Sequence, residues 1–266
     1  MIKQRHVAAL LVEYFGTLTL ALVVLSVSLY RFPFFTALAA GVTVAVFVSA
    51  FAKVSGGHLN PAVTVGMFAI RQVTALRAVG YIAVQLLAGV TAWKLYEYLT
   101  ERTLTNVTAP SIEWNVAVAE AIGAFIFGLA LTAAVTQKIQ GYQAAYAMGG
   151  GLFLGLIVSG LASNSLLNPA VALAVRSFDP VTYVAAPVVG FLLASVLVAY
   201  VLAPIFGGKK AAAASVSPTV AKKPVATAAA SSTTKASAST TTAKKTTKKT
   251  AAKKPASKKT ATKKKS

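Results

Sequence analysis

Ser55-Gly-Gly-His-Leu-Asn-Pro-Ala-Val-Thr64 and, later in the chain, Leu167-Asn-Pro-Ala170 share one tripeptide, Asn60-Pro61-Ala62 in the first and Asn168-Pro169-Ala170 in the second. Asparagine followed by proline is a helix-start signal: the side chain caps free N–H groups, and proline's fixed φ suits the first helical position. Behind each copy only a short helix-compatible stretch follows, Val63 to Ile70 and Val171 to Ser177. Crossing a bilayer takes roughly 20 apolar residues, so each stretch reads as a half-helix. Two capped half-helices in corresponding places of a membrane chain point to a site at mid-membrane. A helix N-terminus carries unpaired N–H groups and a partial positive charge. Two of them nose to nose would make a polar spot, hostile to cations, in an otherwise apolar path. That is the layout of a channel.

Around these copies lie six apolar segments near the length a span requires: Val7 to Leu29, Phe34 to Ala52, Leu76 to Leu99, Trp114 to Thr136, Gln143 to Ala162 and Tyr183 to Ile205. The order is span, span, half-helix, span, and then the same again. Glu13 heads the first unit and Glu120 the second, 47 residues before Asn60 and 48 before Asn168. Three spans per unit is odd, so the copies insert with opposite orientation as an inverted repeat. Gly16, Gly41, Gly89, Gly123, Gly155 and Gly190 fall one per span and are read as close helix packing.

The chain is 56% hydrophobic and 12% charged, yet its formal net charge is +20. The charge is segregated: residues 207–266 hold 16 lysines and no acid, while residues 1–206 hold ten Lys/Arg against six Asp/Glu, a net of +4. Two parts follow, a membrane body over residues 1–206 and a lysine-rich tail over 207–266 that lacks the apolar content to fold. The charged start, Met1 to His6, leads into an apolar run too long for a secretory signal core and is read as the first span. With both termini cytoplasmic, Lys3, Arg5, Lys53, Arg71, Arg77, Lys138 and the tail lie inside, against Arg31, Lys94, Arg102 and Arg176 outside. That topology puts the sequon Asn106-Val-Thr108 outside. The tail reads as a solvated run, as a ligand for anionic lipid, or as a salt-dependent nucleic-acid binder. There is no cysteine, both histidines are unclustered, and the two spanning glutamates lie in opposite repeats. Neither a metal site, a cofactor site nor a catalytic triad is visible, so an enzyme is not expected.

These residues resemble the aquaporin and aquaglyceroporin (major intrinsic protein) family. The likeness is carried by the two Asn-Pro-Ala loops, Glu13, Glu120, Gln85 and the Pro187/Gly190 region, and it covers about residues 7 to 206. It implies an all-α membrane protein with six tilted helices and two re-entrant half-helices per protomer, a pore in each protomer, and assembly as a homotetramer. It also implies passive transport of water or small neutral solutes without a cofactor. Glu13, Glu120 and His58 become supports of the re-entrant loops, a proton relay being the other reading of any intramembrane carboxylate. Counting back from the two asparagines, the family's filter positions fall on Ala40, Leu156, Ser165 and Val171. Here the chain departs from its relatives, which commonly carry Arg directly after the second motif, where Val171 stands. Arg176 lies too far along the helix to take its place. The expected filter is wide, apolar and uncharged, with Ser165 supplying its one side-chain hydroxyl. The rival expectation is a non-conducting membrane scaffold that recruits partners through its tail.

Overall fold

The computed structural model describes residues 4–28, 32–106 and 111–205, and the lysine-rich tail lies outside them. Among the described residues every regular element is a helix. Six are long and apolar enough to cross a membrane: α1 Gln4–Ser28, α2 Pro33–Ser55, α4 Ala75–Thr100, α5 Trp114–Thr136, α6 Gly141–Ser159 and α8 Pro180–Ile205. Between them sit the half-helices α3 Pro61–Ala69 and α7 Pro169–Ala174. The six expected spans are all present, with several ends moved by up to three residues: α6, for one, stops at Ser159, and Ala162 belongs to the turn beyond it. Leu29, the expected end of the first span, lies outside the described residues.

Both half-helices stop by the same device. In α3, Arg71 takes a left-handed φ of 61° and the Gln72 N–H folds back to the Met67 carbonyl at 2.9 Å. In α7, Arg176 has φ 63° and the Ser177 N–H returns to the Ala172 carbonyl at 3.0 Å. This six-to-one closure satisfies carbonyls that a helix end leaves open. It also corrects the expected length of the second half-helix, which ends at Ala174 instead of running to Ser177.

The outward surface of the bundle is apolar, with Phe15, Val46, Leu87, Val118 and Leu193 exposed as a bilayer requires. Tyr98 and Trp114 stand exposed toward one end of the spans, and Tyr142, Tyr146 and Tyr200 toward the other. Aromatic side chains favour those interfacial levels. Inside, helices close to backbone contact through glycine. A Cβ on Gly41 would stand 2.7 Å from the Gly149 carbonyl, joining α2 to α6, and one on Gly123 would stand 2.6 Å from the Gly155 carbonyl, joining α5 to α6. The packing role expected of these glycines is thus visible as geometry.

The last span is irregular at both ends, wound with wider i→i+5 turns over Pro180–Ala185 and Leu197–Leu202 around a regular Ala186–Val196. Pro187 has no N–H to continue the regular ladder, which favours such a turn ahead of it. Asp179 starts the span, its Oδ1 accepting from the N–H groups of Val181 at 3.1 Å and Thr182 at 2.7 Å. The Thr182 N–H chiefly holds the Asp179 carboxyl below its ordinary range. A carboxyl depressed on folding adds stability above its unfolded pKa and loses that contribution as pH falls through the lower, folded value. Below about pH 4, wild-type thermal midpoints in detergent are therefore expected to fall more than those of Asp179→Asn. Asp179→Ala should lose about 1 kcal/mol of capping at neutral pH.

Candidate functional site

Each asparagine begins its half-helix by capping it. Asn60 Oδ1 accepts from the Ala62 N–H at 2.8 Å, and Asn168 Oδ1 from the Ala170 N–H at 3.0 Å. The amide nitrogens then reach across: Asn60 Nδ2 donates to the Leu167 carbonyl and Asn168 Nδ2 to the Leu59 carbonyl, both at 2.9 Å. The preceding leucines make this possible, since Leu59 at φ 51° and Leu167 at φ 50° turn their carbonyls toward the opposite tip. An amide nitrogen has two hydrogens, so the cross bond leaves one per asparagine. Pro61, Ala62, Pro169 and Ala170 are buried directly behind the tips. The sequence pointed to two caps. It did not disclose that each donates to the loop that carries the other.

Each loop hangs from a buried carboxylate. Glu13 accepts from the backbone N–H of His58 at 3.0 Å and of Leu59 at 2.7 Å, and from Gln85 Nε2 at 2.9 Å. Glu120 accepts from the N–H of Leu166 at 2.9 Å and of Leu167 at 2.7 Å, and from the hydroxyls of Ser163 at 2.6 Å and Ser159 at 3.2 Å. One turn along α1 and α5, Gly16 and Gly123 give room to the side chains of Leu59 and Leu167. The third support, His58, sits with Nδ1 3.1 Å from the Thr64 hydroxyl and its ring edge-on to Tyr81, centroids 5.3 Å apart. Thr64 in turn meets Gln85, so the first loop is tied to α4. Ser159 and Ser163 were not picked out from the sequence. Their i, i+4 spacing just before the second loop was the available signal.

Ala40, Leu156, Ser165 and Val171 come together around one narrow neck, with Asn168 also lining it. The space there is about 10 Å³, the scale of a single water. This space is narrower than the wide filter expected from the sequence. Leu20 and Val24 from α1 and Leu152 from α6 also line the neck, so large aliphatic groups occupy room that the small Ala40 and Val171 leave. Leu20 and Val24 are seven and eleven residues after Glu13, and so on its helix face, a signal that counting from the asparagines passes over. Apart from Thr36, Ser165 and Asn168, the neck is hydrocarbon, and no charged side chain lines it.

The neck opens into a vestibule of about 650 Å³. Leu156 and Ser165 line both spaces, and Arg102, Leu104, Asn164 and Ser177 are among the vestibule's own residues. Arg176 is held elsewhere, its guanidinium stacked over the Trp93 ring 4.0 Å from the centroid. Among the described residues no group of three His, Cys, Asp or Glu side chains could hold a metal ion.

The same architecture occurs in the X-ray structure of the aquaglyceroporin from Plasmodium falciparum, which superimposes with a TM-score of 0.62 over 76% of this chain and 99% of that one, at 21% identity. Among curated proteins, Aquaporin NIP6-1 of Arabidopsis thaliana is 30% identical over 165 residues, a match covering 59% of this chain and 54% of the relative. Aquaporin-5 of Rattus norvegicus is 29% identical over 184 residues, 63% of this chain and 68% of the relative. The chain thus spans about half the length of the first of these relatives and about two thirds of the second. The sequence model of the family described as "Major intrinsic protein" matches residues 3–198. With the paired capped half-helices, the six spans and this match in agreement, the chain is an integral, multi-pass membrane protein belonging to the major intrinsic protein family.

Proposed function

We propose that the protein is a passive channel for water and small uncharged solutes, built on an apolar, uncharged neck above a pair of asparagine donors. The observation that carries this reading is the meeting of two half-helix N-termini beneath that neck. A guest oxygen between the tips would be held by the remaining N–H of Asn60 and of Asn168. The positive ends of α3 and α7 would oppose cations and protons there. Val171 supplies no charge to that barrier, so proton exclusion rests on the tips alone. Family membership makes a channel, rather than an enzyme, the class of activity. A homotetramer, cytoplasmic termini and a tail held to anionic lipid by its lysines complete the proposal.

The narrowness of the neck favours one rival, a non-conducting scaffold on the same frame. Stopped-flow volume changes of proteoliposomes in water, urea and glycerol gradients, with a proton-sensitive dye enclosed, separate the two. Water flux without proton leak is expected, and no flux above empty vesicles would favour the scaffold. Leu156→Ala is the sharper case, because Leu156 lines both neck and vestibule. Its urea and glycerol flux is expected to rise about tenfold, equivalent to about 1.4 kcal/mol off the barrier. Unchanged solute flux in that variant would mean the neck does not limit passage.

A further inference from the structure

Arg102 is the one charged residue among the described residues that line the vestibule. Its side chain is exposed and makes no hydrogen bond or ion pair among the described residues. Among the described residues no acid pairs with it, its chain neighbour Glu101 included, and two others are engaged elsewhere. Glu97 binds Lys94 Nζ at 3.0 Å through Oε2 and the Leu104 N–H at 2.9 Å through Oε1. Asp179 caps the last span. The Glu97–Leu104 bond also fixes the loop that carries Arg102, since it ties residue 104 back to α4 across the end of the helix. A guanidinium is thus set in a concave space on an anchored loop with donors free.

The rest of the lining decides the kind of ligand. Ser177 stands in the vestibule, and Ser165 stands where vestibule meets neck, held there at φ 56°. Leu25, Leu104 and Leu156 give apolar wall. A space of 650 Å³ lies within the range of small-molecule sites, which combine apolar walls with a few convergent polar groups. Guanidinium and hydroxyl donors fit a planar or tetrahedral oxyanion, and charge-assisted bonds of this kind are the strong ones. The apolar wall fits a compact hydrocarbon body. We propose that the vestibule is a binding site for small organic oxyanions, carboxylates or sulfonates, with the anionic head on Arg102. The hydrocarbon body rests against Leu104 and Leu156. Bound there, such an anion covers the neck and closes the pore. The closing effect rests on the channel reading above; the binding does not.

Benzenesulfonate is the probe, and benzenesulfonamide is its uncharged near-isostere. Titration calorimetry uses the full chain in an uncharged detergent at low ionic strength. Benzenesulfonate is expected to bind wild type at least about tenfold more tightly than Arg102→Ala, with Arg102→Lys between them. Added salt should weaken binding to wild type and not to Arg102→Ala. Equal affinity in wild type and Arg102→Ala, or benzenesulfonamide matching benzenesulfonate on wild type, would overturn the site. In phosphatidylcholine vesicles with the sulfonate on both sides, water flux should fall in wild type and stay unchanged in Arg102→Ala. The zwitterionic lipid ensures that only the free anion is offered. Arg102-dependent binding with wild-type flux unaffected overturns the closing role. Arg102-dependent binding in a chain that passes no water under any condition supports the site and overturns the channel reading.

Discussion

Replacing Glu120 by alanine is expected to remove the folded protein rather than to tune it. The carboxylate is fully buried and accepts from two backbone N–H groups and two hydroxyls. The serines keep a partner when it goes, since their hydroxyls lie 2.7 Å apart. The N–H groups of Leu166 and Leu167 have no such recourse, since both residues are buried. Each buried donor left unsatisfied costs about 1–3 kcal/mol, and the volume of the lost side chain adds a cavity. A total of about 4 kcal/mol is a large part of what holds a domain together. Fluorescence-detected gel filtration in mild detergent should show Glu120→Ala aggregated or absent. Glu120→Gln keeps one acceptor oxygen and should be recovered with a lowered thermal midpoint. A monodisperse Glu120→Ala with the wild-type midpoint would show that the second loop does not hang from this carboxylate.

Gly190→Val is expected to be as severe, for a steric reason. A Cβ at Gly190 would collide with the Ala121 carbonyl oxygen, and would stand 2.8 Å from the carbonyl carbon and 2.9 Å from the Cα of the same residue. These are backbone atoms in the middle of α5, and neither helix can yield there. The helices would have to part, and the contacts they share would go with them: Phe127 against Phe191, centroids 5.4 Å apart, and the Thr132–Ser195 hydroxyl pair at 3.2 Å. Overpacking against side chains costs about 1–3 kcal/mol, and a fixed backbone obstacle puts this case above that range. Gly150→Val is the control, because a Cβ there meets nothing within 4 Å. It should be recovered from membranes at the wild-type level, while Gly190→Val should not. Equal recovery of the two would show that α5 and α8 are not packed as closely as described.

What could be read in advance was whatever has a local cause. Asn-Pro-Ala writes its own helix start, and a run of some 20 apolar residues has few alternatives to a span. The end of α7 escaped notice because Arg176 carries no stop signal. Arginine is a good helix former, and its left-handed turn goes with the return bond from Ser177, a contact local sequence does not announce. Ala40, Leu156, Ser165 and Val171, counted from the asparagines, line one space in the structure, and that space is narrow. Register from the asparagines identifies which residues share a level. It does not identify which neighbours on α1 and α6 lean into the space that small residues leave. The crossed asparagine bonds were hidden for a related reason: they join residues more than a hundred positions apart.

That last feature sets an order of events during synthesis. The Leu59 carbonyl and the Asn60 amide find each other's counterparts only on a loop made much later, at Leu167 and Asn168. Until that loop emerges and enters, the first loop has two polar groups with no protein partner at the middle of the membrane. Glu13 and Gln85 are made before that loop, so the first loop's carboxylate support is available while its cross-bonds are not. The first half of the chain is accordingly not a half-channel that could be stored. The pore closes into being in one late step, when the two tips arrive together.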